Sequence, residues 1–223
     1  PFRQSHGWIG GKITHMNRFE LEAQEIIDLS RQHTFFSWSA QDAVRPIPMV
    51  RGEGCFFWDA AGNRYFDLNS QSMCVNIGHG NRRVIEAIKA QAEELVYAGP
   101  GMATPIRAEL GRALAARMPG ALGKFFFTQS GAEANENAVK LARAATGRYK
   151  ILARYRSYHG ATAGAMTLTG DHRRWANEPG MPGVVHMPDP YRYRSPLFRE
   201  GDSDQRFAGL LLEQVEDIIR CEG

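Results

Sequence analysis

The 223-residue chain is 43% hydrophobic and 23% charged, which gives it enough apolar content to bury a core as one or two globular domains. Its 27 basic and 24 acidic residues are scattered along the sequence and leave a net charge of only +3, so no basic face marks a nucleic-acid binder. No apolar run of membrane-spanning length and no secretory leader pattern is visible, and a cytoplasmic location is the expectation, with no membrane partner.

Cys55, Cys74 and Cys221 are odd in number, widely spaced and without a CxxC pair. That pattern fits neither a disulfide framework nor a zinc site, so reduced thiols and no metal are expected.

Residues 1–15 lack periodicity and precede Met16, which is expected to be the natural start, with 1–15 as a non-native or disordered leader. Over residues 17–32, Phe19, Ala23, Ile26, Ile27 and Ser30 recur at helical spacing while Glu20, Glu22, Glu25 and Asp28 turn outward; an amphipathic helix is predicted. Residues 33–41 (HTFFSWSAQ) have no clean period. Phe35, Phe36 and Trp38 could anchor the core there or line a pocket.

Residues 46–68 read as a β-meander of short apolar runs separated by Gly and Asn turns. Residues 69–81 (NSQSMCVNIGHGN) read as a loop at the mouth of a site, and His79, alone between two glycines, reads as a loop hydrogen-bonder rather than a catalyst. Helices are predicted over 82–96 and 105–118, the second with Pro105 in its first turn.

The stretch that the rest is organised around is 124–140, KFFFTQSGAEANENAVK. Phe125, Phe126, Phe127 and Thr128 are β-prone, and Ala132, Ala134, Ala138, Leu141, Ala142 and Ala145 suit a helix, with the switch at Ser130-Gly131. A turn that opens a helix leaves backbone N–H groups unpaired at the positive end of the helix dipole, and this is a natural phosphate seat. Ser130 offers a hydroxyl, Gly131 lets a ligand approach the backbone, and Ala132 adds an N–H without bulk. The same residues are equally consistent with a plain helix cap. Beyond them, strands are predicted at 149–153 and 184–187 and a last helix at 204–221, with a small-residue run at 161–170 before another helix candidate. Strands alternating with helices indicate a mostly parallel sheet covered by helices, an α/β fold.

Four stretches in this order, GEGCFFWDAAGNRYFDL at 52–68, NIGHGNRRV at 76–84, SGAEANENAVKLAR at 130–143 and SYHGAT at 157–162, make the chain resemble the N-terminal half of a class III aminotransferase. That family consists of fold type I enzymes dependent on pyridoxal 5′-phosphate. The resemblance implies an N-terminal helix and β-meander of the small domain at 16–75 and the first part of the large cofactor-binding domain at 76–223. It implies that Ser130, Gly131 and Ala132 bind the cofactor phosphate and that Tyr158 stacks on the cofactor ring with His159 and Gly160 beside it. Trp38 resembles the aromatic that borders the substrate amine in related transaminases.

The chemistry also needs a Schiff-base lysine and an acid paired with the pyridine nitrogen. In the family both follow later in the sequence, and none of Lys12, Lys89, Lys124, Lys140 and Lys150 stands in the lysine's context. The 223 residues are therefore expected to lack a catalytic lysine and independent transaminase activity.

By the same resemblance the partners are an amine donor, a keto acid acceptor (pyruvate or 2-oxoglutarate) and a second copy of the chain in a homodimer. An ω-amino donor such as taurine, β-alanine or 4-aminobutyrate is the leading expectation, and decarboxylase, aminomutase and racemase activities occur in the same family. A nucleotide-binding module is disfavoured, because neither GxxxxGK[ST] nor GxGxxG follows a strand. A noncatalytic, dimerising fragment is the remaining alternative.

Overall fold

A computed structural model describes residues 21–223; the expected leader and the Met16 start lie outside them. Two compact units are present, divided between Met102 and Ala103, and no described helix is long and apolar enough to cross a membrane.

In the first unit, helix α1 spans Ala23–His33. Ala23, Ile26, Ile27 and Ser30 are its half-covered positions, in the predicted period. Residues 33–41 correct one expectation: Phe35 is 92% and Trp38 53% exposed, so neither anchors a core among the described residues. The segment is held by a side chain instead, since Gln41 accepts from the Phe36 N–H (3.0 Å) and donates to its carbonyl (2.8 Å). Strands β1 (Met49–Glu53), β2 (Phe56–Asp59) and β3 (Arg64–Phe66) form the expected antiparallel meander.

The β2–β3 turn is built around the buried Asp59. Its carboxylate accepts from the Ala61 and Asn63 N–H groups, the Asn63 amide and the Tyr65 hydroxyl, at 2.8–3.0 Å. These bonds, those of Asn63 first, hold the carboxyl below its ordinary range. Beyond β3, residues predicted as loop contain one left-handed turn, α2 (Ser70–Met73), whose φ values run from 48° to 65°. Helix α3 (Arg82–Glu94) follows, capped by Asn81, whose side chain accepts from the Arg83 and Val84 N–H groups.

In the second unit, α4 (Pro105–Ala115) has Pro105 in its first turn. Residues 125–128 form no strand and pair with no described strand, which corrects the predicted strand. β-propensity alone makes no strand, because a ladder also needs a partner's N–H and C=O groups. Alternate residues Phe125 and Phe127 line a shallow cavity with Thr104, Arg107 and Ala108 of the α4 segment.

Helix α5 (Gly131–Thr146) starts at the predicted switch and ends at Gly147, whose φ of 66° is a left-handed stop. Strands β4 (Ile151–Arg154) and β5 (Val184–Met187) pair in parallel. Tyr149, predicted to begin β4, lies outside it, and its carbonyl accepts from Arg143 Nε at 2.8 Å. Helix α6 (Ala163–Leu168) lies inside the small-residue run, followed by a 3-10 turn at His172–Asn177, and α7 (Asp204–Glu222) closes the unit. Val139, Ala153 and Leu168 form its core with Ile151, Met181 and Val184.

Candidate functional site

The site is built where the first turn of α5 meets the segment between β4 and α6. Ser130 is the N-cap: its Oγ accepts from the Glu133 N–H (3.2 Å) and its carbonyl from the Ala134 N–H (3.0 Å). The Gln129 N–H donates to the Glu133 carboxylate at 2.8 Å, much as in a capping box. The plain helix-cap reading is thus realised. It still leaves the Gly131 and Ala132 N–H groups without intrahelical acceptors, and it leaves the Ser130 hydroxyl proton to donate. A Cβ placed on Gly131 would meet nothing within 4 Å, so the backbone is open to a ligand there.

The second wall is residues 157–160. Gly160 is buried, and a Cβ on it would lie 2.5 Å from the Ala132 Cβ and 2.7 Å from its Cα. The two motifs, 28 residues apart in sequence (132 to 160), are therefore pressed together. Asn135, one turn along α5 from the cap, donates from Nδ2 to the His159 carbonyl at 2.7 Å. On the other side of the same residue, the His159 N–H donates to Thr169 Oγ1 at 3.1 Å. Tyr158 is 42% exposed, and the Arg173 guanidinium lies 4.2 Å from its ring centroid. Arg173 in turn pairs with Asp171, whose carboxyl it lowers to about 2.

Glu136 joins the two helices. Its Oε1 accepts from Thr162 Oγ1 (2.6 Å) and from the Gly164 (2.9 Å) and Ala165 (3.2 Å) N–H groups. Thr162, the N-cap of α6, makes no side-chain cap of its own, so a carboxylate from α5 caps α6. These bonds, that of Thr162 first, hold Glu136 below the ordinary carboxylate range.

Ser130, Gly131, Ala132, Tyr158 and His159 thus come together in one unit, whereas Trp38 belongs to the other. Trp38 sits at a turn with φ 56° and is half exposed. Lys89, Lys124, Lys140 and Lys150 are exposed, and Lys89 and Lys150 pair with Glu86 and Glu222. Asn135, Glu136, Thr169 and Arg173 were not singled out from sequence. Helical spacing held a signal for the first two: 132, 135, 136 and 139 share a face of α5.

An aminotransferase class-III family model matches residues 38–221. Among curated relatives, isoleucine 2-epimerase of Lentilactobacillus buchneri is 34% identical over 206 residues, 90% of this chain and 45% of that protein. A probable 4-aminobutyrate aminotransferase of Bacillus subtilis (strain 168) is 36% identical over 174 residues, 76% of this chain and 39% of that protein. The chain thus spans less than half the length of these relatives. Among solved structures, a thermostable (S)-enantioselective omega-transaminase from Thermomicrobium roseum superposes with TM-score 0.84 at 37% identity, over 91% of this chain and 47% of that one. Taurine:2-oxoglutarate aminotransferase from Bifidobacterium kashiwanohense, solved in complex with PLP and glutamate, gives TM-score 0.83 at 34% identity, over 92% and 46%.

Proposed function

The chain belongs to the class III aminotransferase family, and from that premise we propose that its residues form part of a pyridoxal-phosphate-dependent transaminase that moves an amino group from an ω-amino compound of the taurine, β-alanine or 4-aminobutyrate type to pyruvate or 2-oxoglutarate. The names of the omega-transaminase, taurine and 4-aminobutyrate relatives support this donor class. In the same reading the protein is a cytoplasmic homodimer.

The observation that supports the proposal is the close approach of Gly160 to Ala132, which brings the backbone of 157–160 against the open first turn of α5. The residues present fit the cofactor. The Gly131 and Ala132 N–H groups, at the positive end of α5, suit a phosphate dianion, and the Ser130 hydroxyl retains a proton to donate to it. Tyr158 offers a flat face for a pyridine ring and keeps water from that side. His159 contributes through its backbone, which fixes the residue before it. Trp38 is assigned to the substrate side.

When bound, the cofactor supplies an electron sink for the pair of electrons left on the donor carbon as its proton is removed. This chain's own part is to bind the phosphate, orient the ring and hold water away from one face.

A second reading, interconversion of amino acid stereoisomers, is favoured by the isoleucine 2-epimerase relative. Titrating the protein with pyridoxal phosphate, followed by its visible spectrum, tests the first step for wild type and Tyr158→Leu. Saturable binding weakened by the substitution is expected; equal binding would remove Tyr158 from the site. Incubation of a protein that joins these residues to a segment supplying the Schiff-base lysine with each amine donor and each keto acid then separates the readings. Transamination yields alanine or glutamate only when an acceptor is present, whereas epimerisation proceeds without one.

A further inference from the structure

Resting on the cofactor reading above, we propose that Asn135 and Thr169 are positioning residues that set the Tyr158 ring against the cofactor by gripping the His159 backbone from both sides.

Tyr158 needs such a device. Its ring is 42% exposed with the Arg173 guanidinium 4.2 Å from its centroid, and the point from which the ring projects is set by its backbone. That backbone is fastened at several points. Before the tyrosine, Ser157 donates from Oγ to the Arg154 carbonyl (2.6 Å) and accepts at its own carbonyl from the Gly170 N–H (2.9 Å). After it, the His159 N–H is held by Thr169 Oγ1 and the His159 carbonyl by Asn135 Nδ2.

The two grips tie the ring to different references. Asn135 lies on α5, whose first turn is the phosphate seat, so its bond sets the spacing between seat and ring. Thr169 is fully buried, and its hydroxyl is fully used: it accepts from the His159 N–H and donates to the Ala165 carbonyl at 3.1 Å. Its own carbonyl accepts from Arg174 Nη1 at 3.1 Å and lies 3.2 Å from His186 Nε2, which anchors it to the 3-10 turn and to β5. An exposed ring gripped in this way loses orientation before the fold loses stability, because small displacements at a reacting centre are amplified.

The test compares Thr169→Val, Thr169→Ser, Asn135→Leu and Tyr158→Leu in the full chain. Readouts are the dissociation constant of pyridoxal phosphate, the ellipticity it acquires in the visible band, and thermal melting without cofactor. Thr169→Val and Asn135→Leu should each weaken binding about tenfold, the equivalent of one lost hydrogen bond, and reduce the induced ellipticity. Thr169→Ser, which restores the hydroxyl, should bind within about threefold of wild type. If Thr169→Val fails to fold, the partly exposed Asn135→Leu carries the same comparison. Unchanged affinity and ellipticity in Asn135→Leu and in folded Thr169→Val, with Tyr158→Leu impaired, would overturn this inference alone. Unchanged binding in Tyr158→Leu would overturn the cofactor role of the ring and this inference with it.

Discussion

Gly160 lies so close to Ala132 that a methyl group on it would come within 2.5 Å of the Ala132 Cβ, and its φ of 132° is one that L-residues rarely adopt. Gly160→Ala should therefore separate the two motif turns at a cost of about 1–3 kcal/mol from overpacking, with backbone strain added. The urea midpoint should fall and pyridoxal phosphate affinity should fall with it. A variant that melts and binds like wild type would show that the turns need not touch.

Glu136 and Gly164 form a second coupled pair, since a Cβ on Gly164 would lie 2.3 Å from Glu136 Oε2. Glu136→Ala strips the acceptor from two N–H groups at the start of α6 and should cost about 2–3 kcal/mol, whereas Glu136→Gln keeps an acceptor and should cost about 1 kcal/mol. Gly164→Ala should be destabilising alone and less so in the Glu136→Ala background. Strict additivity in that double-mutant cycle would contradict the contact.

Asp171 should leave a signature in acid. Its carboxyl is lowered from 3.8 to about 2, chiefly by its hydrogen bond to Arg173. A carboxyl lowered on folding stabilises the protein fully above its unfolded value, and that contribution disappears as pH falls through the folded value. The gap in urea midpoint between wild type and Asp171→Asn should be flat above about pH 5 and shrink as pH falls toward about 2. A gap that widened on acidification would reverse the assignment.

His79 should act as a clasp. Its Nε2 sits 2.7 Å from Asp67 Oδ2, both side chains are nearly buried, and its backbone bridges Gly54. Asp67 also accepts from the Gln71 N–H and lies below its ordinary range, with the His79 bond as first cause. His79→Ala should loosen residues 69–78 and speed limited proteolysis there. A Cβ on Gly52 would strike the His79 ring at 2.6 Å, so Gly52→Ala should produce the same cleavage pattern. An unchanged digest in both variants would refute the clasp.

Much of this was legible in the sequence where one local rule decided the outcome. The switch at Ser130-Gly131 from a β-prone run to helix-suited residues announced the start of α5, and the Gly and Asn turns announced the meander. Residues 125–128 misled because pairing depends on a neighbour, which propensity cannot supply. The Glu136 bonds to 162–165 span 26 to 29 residues, a separation at which periodicity carries no information. The left-handed turn escaped notice because Ser70, Gln71, Ser72 and Met73 include no glycine to signal it.

That turn also marks where engineering for heat tolerance should begin. Each L-residue held in left-handed geometry costs roughly 1 kcal/mol, and four such residues stand in a row at Ser70–Met73. A small library placing glycine or asparagine at these four codons would remove penalties that the Asp67 and Asn69 side chains now offset by bonding the turn's N–H groups. Among the described residues, the other non-glycine positions with positive φ, Trp38, Arg156 and Arg194, stand singly, so no other short stretch of gene gathers four of them.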